Sequence, residues 1–264
     1  MDQVYVKGKG GILQKLAYEV RYDFGFTYLD KCGRTINTIL RDHPEWMIKA
    51  DTPNPQAGSL VSIDNGCSFV FSPYNYTFVL EMPAGGEPLS EKERSEFVDQ
   101  VELLSVIVSD SLGLEAFTRI GMRAWYLFSF DKLSESTEWL TSLGFYSISP
   151  DLSKLFEATL DAASVVVLLS SKERQYRLSF SSVERQVQLD LGQEILSIRA
   201  STLSKDQDKF LLRQLETRRR IHANPQFAAL LDIDAFQEDP ISIDARDFIE
   251  NSLKDHSEKI GTWR

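Results

Sequence analysis

Residues 117–130, FTRIGMRAWYLFSF, constrain this chain more than any other stretch. Thr118, Ile120, Met122, Ala124, Tyr126, Phe128 and Phe130 fall on one side of an extended backbone. Phe117, Arg119, Gly121, Arg123, Trp125 and Leu127 fall on the other. Side chains of a strand alternate between faces, so this period of two predicts a long strand with one core face. The second face sets a problem, because it carries two arginines among residues that shun water. Arg119 and Arg123 are either anchors for an anionic ligand or half of an ion-pair ladder across strands. Trp125 and Leu127 beside them require that something cover that face, and the second half of the chain is the simplest cover.

Residues 16–24, LAYEVRYDF, alternate in the same way, with Glu19, Arg21 and Asp23 on the polar side. The stretch from Thr27 has Leu29, Cys32, Ile36 and Leu40 at helical spacing before Pro44, which predicts a helix. SLVSIDNGCSFVFS carries Asn65-Gly66 between β-rich arms, the signature of a type I′ hairpin. A further strand, YTFVLEM, follows. Ser90 with Glu93 forms a capping box ahead of a helix whose apolar stripe is Phe97, Val101, Leu104, Ile107 and Val108. KGKGG, at Lys7–Gly11, precedes the first strand and reads as a flexible N-terminal segment. It does not join strand to helix as a phosphate cradle does.

The expected fold is therefore α+β, with two antiparallel-sheet modules packed with helices. The first half, residues 1–131, has the element order of a ferredoxin-like split β-α-β unit, in which the first and last strands are antiparallel neighbours. On that pairing Glu19, Arg21 and Asp23 face Arg119 and Arg123. Residues 132–162 read as a helical connector. Residues 163–264 read as a second α+β module: short strands at 163–171, 174–182 and 185–191, a helix over 204–222, a strand at 227–236 and a final helix capped by Ser242 or Asp244.

Composition narrows function more by exclusion. Net charge is −10, which disfavours nucleic-acid backbones and anionic lipid. The N-terminus has no apolar h-region and no apolar run reaches the ~18–20 residues of a membrane span, so the expected location is cytoplasmic. Cys32 and Cys67 match no zinc pattern and read as reduced thiols. No cofactor is predicted. Asp232 and Asp234 share a strand face and are the candidate metal ligands. Arg218, Arg219 and Arg220 form the one basic cluster, suited to phosphate or to a protein interface. His43 and His256 lie near helix C-termini, where the helix dipole favours a cation and no catalytic role is needed.

Three segments together resemble a sporadically distributed family of uncharacterised bacterial and archaeal proteins of about this length. LAYEVRYDF is similar to that family's opening strand. RIGMRAWYLFSF resembles its recurrent Arg-Gly-Arg strand after the long helix, here with Trp125 beside Tyr126. LLDIDAF followed by IDARDFIENSLKDH resembles its C-terminal Asp-Ile-Asp strand and the helix that ends near a histidine. The resemblance spans most of the chain and brings no activity, cofactor or catalytic residue. The family's patchy occurrence implies genes that move between genomes, as defence or accessory genes do.

The residues bring no nucleophile, base and orienting group together. The expectation is a cytosolic prokaryotic binding or accessory protein with a protein partner or a second copy of itself, and not an enzyme. One alternative is an enzyme or sensor for a small anionic, nucleotide-like ligand held between the modules by Arg119, Arg123, Trp125 or Arg218–Arg220. Another is an acidic inhibitor that masks a basic partner.

Overall fold

A computed structural model describes residues 3–23, 27–49, 57–82, 88–145, 147, 149, 151–158, 162–185, 226–240, 242 and 244–261. Its strands are β1 (Gln3–Val6), β2 (Lys9–Arg21), β3 (Trp46–Ile48), β4 (Gly58–Ser62), β5 (Ser68–Phe71), β6 (Asn75–Glu81), β7 (Arg119–Phe130), β8 (Ser164–Ser170), β9 (Gln175–Arg185) and β10 (Gln226–Glu238). Its helices are α1 (Thr27–Asp42), α2 (Glu91–Leu112), α3 (Leu133–Ser142), α4 (Asp151–Leu155) and α5 (Ala245–Gly261). The α+β class is as the sequence predicts.

The strands of the two halves form one antiparallel sheet and not two. Its order is β3-β4-β5-β6-β2-β7-β10-β9-β8, with β1 added beside β2. The junction is β7, the strand RIGMRAWYLFSF. β7 pairs with β2 on one edge, from Ile12↔Leu127 to Arg21↔Arg119. On its other edge it pairs with β10, from Phe227↔Phe130 to Glu238↔Arg119. Flanked on both edges, β7 shields much of its second face with neighbouring side chains, which lets Trp125 and Leu127 sit there beside the ion-paired Arg119 and Arg123.

The predicted core face is buried along its middle: Leu16, Tyr18 and Val20 on β2 with Tyr22 just after it, and Ile120, Met122, Ala124, Tyr126 and Phe128 on β7; Thr118 and Phe130 at its ends are half-buried, and Phe24 lies outside the described residues. α2 lays Phe97, Val101, Leu104 and Val108 into this core. Its capping box is as predicted, and Gly113 closes it in the left-handed conformation with φ 66°. Trp139 of α3 packs on Phe128 at 4.8 Å between ring centroids, and His256 of α5 meets Tyr126 edge-on at 6.5 Å. α1 joins the same layer through Tyr28, whose ring meets Phe71 edge-on at 4.8 Å. These contacts place α1, α2, α3 and α5 on one face of the sheet.

Three local expectations need correction. The segment read as flexible at Lys7–Gly11 is the turn and start of a hairpin: Lys7 and Gly8 take φ 44° and 77°, and β2 begins at Lys9. Gly11 is then a strand residue pressed on Phe128, whose ring lies 2.5 Å from where a Cβ would stand. In α1 the fully buried residues are Tyr28, Thr35 and Ile39; of the predicted stripe, Cys32, Ile36 and Leu40 pack half-buried against the core, and Leu29 is exposed. The Asn65-Gly66 turn is not type I′, because only Gly66 has positive φ. Asn65 instead accepts the Cys67 N–H at 3.0 Å through Oδ1 and donates to Gln100 of α2 at 3.2 Å. Gln100 in turn donates to Ser62 Oγ at 3.0 Å, so a helix side chain ties the turn into a wider loop. At the last helix it is Asp244 that caps, accepting the Asp247 N–H at 2.9 Å. The expected strands at 185–191 and 194–202 (beyond Arg185, where β9 ends) and the helix at 204–222 lie outside the described residues.

Candidate functional site

The face of the sheet opposite the helices gathers most of the residues singled out from sequence. On β10, Asp232 stands opposite Trp125 and Asp234 opposite Arg123. On β2, Glu19 stands opposite Gly121 and Arg21 opposite Arg119. All of these point to the same side, because directly opposed residues of paired strands share a face.

Arg119 and Arg123 are each spent on a candidate carboxylate. Arg123 binds Asp232 through two parallel contacts, with Nε 2.7 Å from Oδ1. This planar fork is the strongest ion-pair geometry available to the two side chains. Arg119 donates to Asp234 Oδ2 at 2.7 Å and to Glu19 Oε1 at 3.2 Å. Arg21 donates to Glu19. The expected ladder exists, but its principal carboxylates come from β10 and not from β2 alone. Asp23 takes no part in the contacts described.

Gly121 makes the Arg119 contacts possible. A Cβ at this position would lie 2.7 Å from the Arg119 guanidinium. The missing side chain is a seat in which Arg119 lies along the sheet, its Cζ 4.6 Å from the centre of the Phe236 ring. From there it reaches Asp234, two same-face positions along β10 from Glu238, the residue directly opposite Arg119. Trp125 is covered by the same device of long cationic side chains. Lys15 Nζ stands 4.1 Å and Arg123 Cζ 5.5 Å from its ring. Lys15 also pairs with Glu81 at 2.9 Å. The indole is thus covered in part by its neighbours on the sheet, and the second half of the chain lies beside β7 in the sheet.

Electrostatics follow from this burial. Asp232 is buried, whereas the Arg123 side chain stays 42% exposed. Burial raises the Asp234 carboxyl above the usual carboxylate range, and Arg119 and Arg123 pull it back down. The hydrogen bond to Asp232 raises Arg123 further. Both lone-pair-rich groups once suited to a metal now face guanidinium groups. Among the described residues no group of three or more His, Cys, Asp or Glu side chains could hold a metal ion. Arg218, Arg219 and Arg220 lie outside the described residues.

One titratable group escaped the sequence reading. His256 is not a dipole-facing surface histidine. It is buried, and among the described residues neither ring nitrogen has a hydrogen-bond partner. Burial pushes its pKa down to about 4, against the opposing pull of Asp255. The signal was present in IENSLKDH: His256 falls seven residues after Ile249 and three after Leu253, on the apolar stripe. Cys32 and Cys67 are free thiols, and burial raises Cys67 to about 12. No described helix is long and apolar enough to cross a membrane. No protein-family model matches the chain, and no curated protein matches it in sequence.

Proposed function

We propose that the protein is a cytoplasmic prokaryotic binding or accessory protein that works by protein–protein contact. The observation that carries this reading is β8 at the end of the sheet. Among the described residues it is an edge strand, of sequence SVVVLLS, with Val166, Leu168 and Leu169 at 50%, 71% and 48% exposure. Edge strands are ordinarily blunted by lysine, proline or a bulge, and one left apolar and uncharged is a template for another chain. The resemblance to a patchily distributed prokaryotic family supports an accessory or defence-type role. The order β5-β6-β2-β7, with a helix after the first strand and another before the last, supports a ferredoxin-like first half.

The rival is a small anionic ligand. It draws on the part of Arg123 that remains exposed, and it must compete with Asp232 for the same guanidinium. Native mass spectrometry and thermal shift separate the two readings. Gently purified protein should carry no adduct of a few hundred daltons. Nucleoside mono- and triphosphates, with and without magnesium, should leave its melting temperature unchanged. A nucleotide-dependent rise that disappears in Arg123→Ala would replace the protein-contact reading with the ligand reading.

A further inference from the structure

We infer that Asn65 is a site of spontaneous deamidation and that Gln100 of α2 holds it closed. This chemistry needs neither a protein partner nor a small ligand. Asn65-Gly66, at the turn between β4 and β5, is the only Asn-Gly pair in the chain. Glycine has no Cβ to hinder the approach of its backbone nitrogen to the asparagine side chain. In the reaction the Gly66 nitrogen gives its proton to a solvent base and attacks Asn65 Cγ. A bond forms between that nitrogen and Cγ, the Cγ–Nδ2 bond breaks, and ammonia leaves with a proton from water. Water then opens the resulting cyclic imide at one of its two carbonyls, which gives isoaspartate or aspartate.

The fold restrains both reacting groups. Gly66 N–H donates to the Ser62 carbonyl oxygen at 2.9 Å, so the proton that must leave is held. The Asn65 carboxamide is pinned at both ends: Oδ1 accepts the Cys67 N–H at 3.0 Å, and Nδ2 donates to Gln100 Oε1 at 3.2 Å. Gln100 is fixed in turn by its Nε2 donating to Ser62 Oγ at 3.0 Å. The Cys67 N–H belongs to the turn and moves with Asn65. Gln100 belongs to a 22-residue helix laid into the core. The helix contact is therefore the anchor that must break before the carboxamide can swing over the Gly66 nitrogen. Asn65 and Gly66 are only half-buried, so water reaches the turn once it opens.

The reaction removes its own restraint. Either product lacks the Nδ2 donor and loses the tie to Gln100, and it adds a negative charge to a chain of net charge −10. Isoaspartate also routes the main chain through the side chain and lengthens it by a carbon. Ser62 N–H donates to the Cys67 carbonyl oxygen at 2.8 Å across this turn, and Cys67 and Phe69 beyond it are fully buried. A longer turn cannot keep that register, so modification loosens the β4–β5 hairpin from its tip. The change is slow and one-way, and the Gln100 contact sets its pace.

Incubation of the full chain at mildly alkaline pH, followed by peptide mass spectrometry across Asn65, tests this. Wild type held in urea beyond its unfolding transition should lose Asn65 fastest, and folded wild type slowest. Folded Gln100→Ala should lose it about fivefold faster than folded wild type, the factor that one net hydrogen bond represents. Gln100→Glu keeps an acceptor for Nδ2, and its rate should stay close to that of wild type. Circular dichroism shows which variants are folded. Should Gln100→Ala not fold, Ser62→Ala, which frees Gln100 from its own anchor, takes its place and should show a rise in the same direction. Folded wild type that reacts as fast as the unfolded chain overturns the inference, as does a folded Gln100→Ala, or Ser62→Ala in its place, that reacts no faster than wild type. Equal acceleration in Gln100→Glu overturns it too, because a general loosening of the turn would then account for the rate.

Discussion

At the residue scale, the centre of the sheet is held by ion pairs that Gly121 makes room for. Arg119 and Arg123 stand out in sequence as ligand anchors or as half of a cross-strand ladder, and Asp232 and Asp234 as metal ligands; the ladder with Glu19 is present and the two aspartates join it. Their meeting spans more than a hundred residues of chain and depends on the β7–β10 register, which no local pattern encodes. Gly121 was legible only as a gap between two arginines. Its role as a seat yields a coupling prediction. Gly121→Ala should lift Arg119 off Asp234 and cost about 1–2 kcal/mol in urea unfolding, the scale of an ion pair broken beside a partly buried carboxylate. Arg119→Ala should cost a similar amount. The double variant should cost no more than Arg119→Ala alone, whereas additive losses would show that Gly121 acts through something else. His256 gives a second prediction, with a sign that follows from its lowered pKa. Above pH ~6.5 the histidine is neutral in both states and pH has no effect through it. Between ~6.5 and about 4 the unfolded chain takes up a proton that the folded chain refuses, so stability falls as pH falls. The loss reaches about 3 kcal/mol near pH 4 and then levels off. His256→Leu should remove this dependence and leave stability at neutral pH equal or higher, because two unpaired ring nitrogens go with it. Parallel pH profiles for the two proteins would exclude the burial account.

At the element scale, periodicity located long elements well and short ones poorly. β2, β7 and α2 each hold enough repeats for one face to declare itself. β3, with three residues, and β1, with four, hold too few. The Lys7-Gly8 turn was hidden by its own composition, since glycines that permit a tight turn also resemble a flexible tail. α1 buries Tyr28 and leaves Leu29 exposed because Tyr28 offers more to the core than Leu29 does: an aromatic contact with Phe71 and a hydroxyl that donates to the Phe71 carbonyl oxygen at 3.1 Å. The β1–β2 turn gives a prediction with opposite signs at adjacent residues. Lys7 is held in a left-handed conformation that costs a side-chain-bearing residue ~1 kcal/mol, so Lys7→Gly should be neutral or stabilising. Gly8, at φ 77°, should lose about 1 kcal/mol or more on substitution by valine. Chemical denaturation of the two variants, with equal effects at both sites, would argue against this turn geometry.

At the scale of the whole molecule, element order suggested two modules because strands, then a helix, recur in each half. Element order does not say which strand edges meet. The clue was in β7 itself, where Trp125 and Leu127 break the polar face of a strand that would otherwise suit a half-exposed position. Such a strand belongs in the middle of a sheet, and β10 supplies the missing neighbour. The seam between the halves is thus the longest ladder among the described residues, and both arginine pairs cross it. Chains of this length commonly unfold in stages, domain by domain. Here the halves share a continuous sheet and one core, so calorimetry should record a single transition, with van't Hoff and calorimetric enthalpies in agreement. Arg123→Ala leaves Asp232 buried without its cation and should lower that one transition as a whole, by about 3 kcal/mol or somewhat less given the exposed guanidinium. Two resolved transitions, with Arg123→Ala moving only one of them, would mean that residues 1–131 and 163–264 fold as separate units. The seam would then be a docking contact between them, and the ion pairs across it would regulate that contact more than they stabilise the fold.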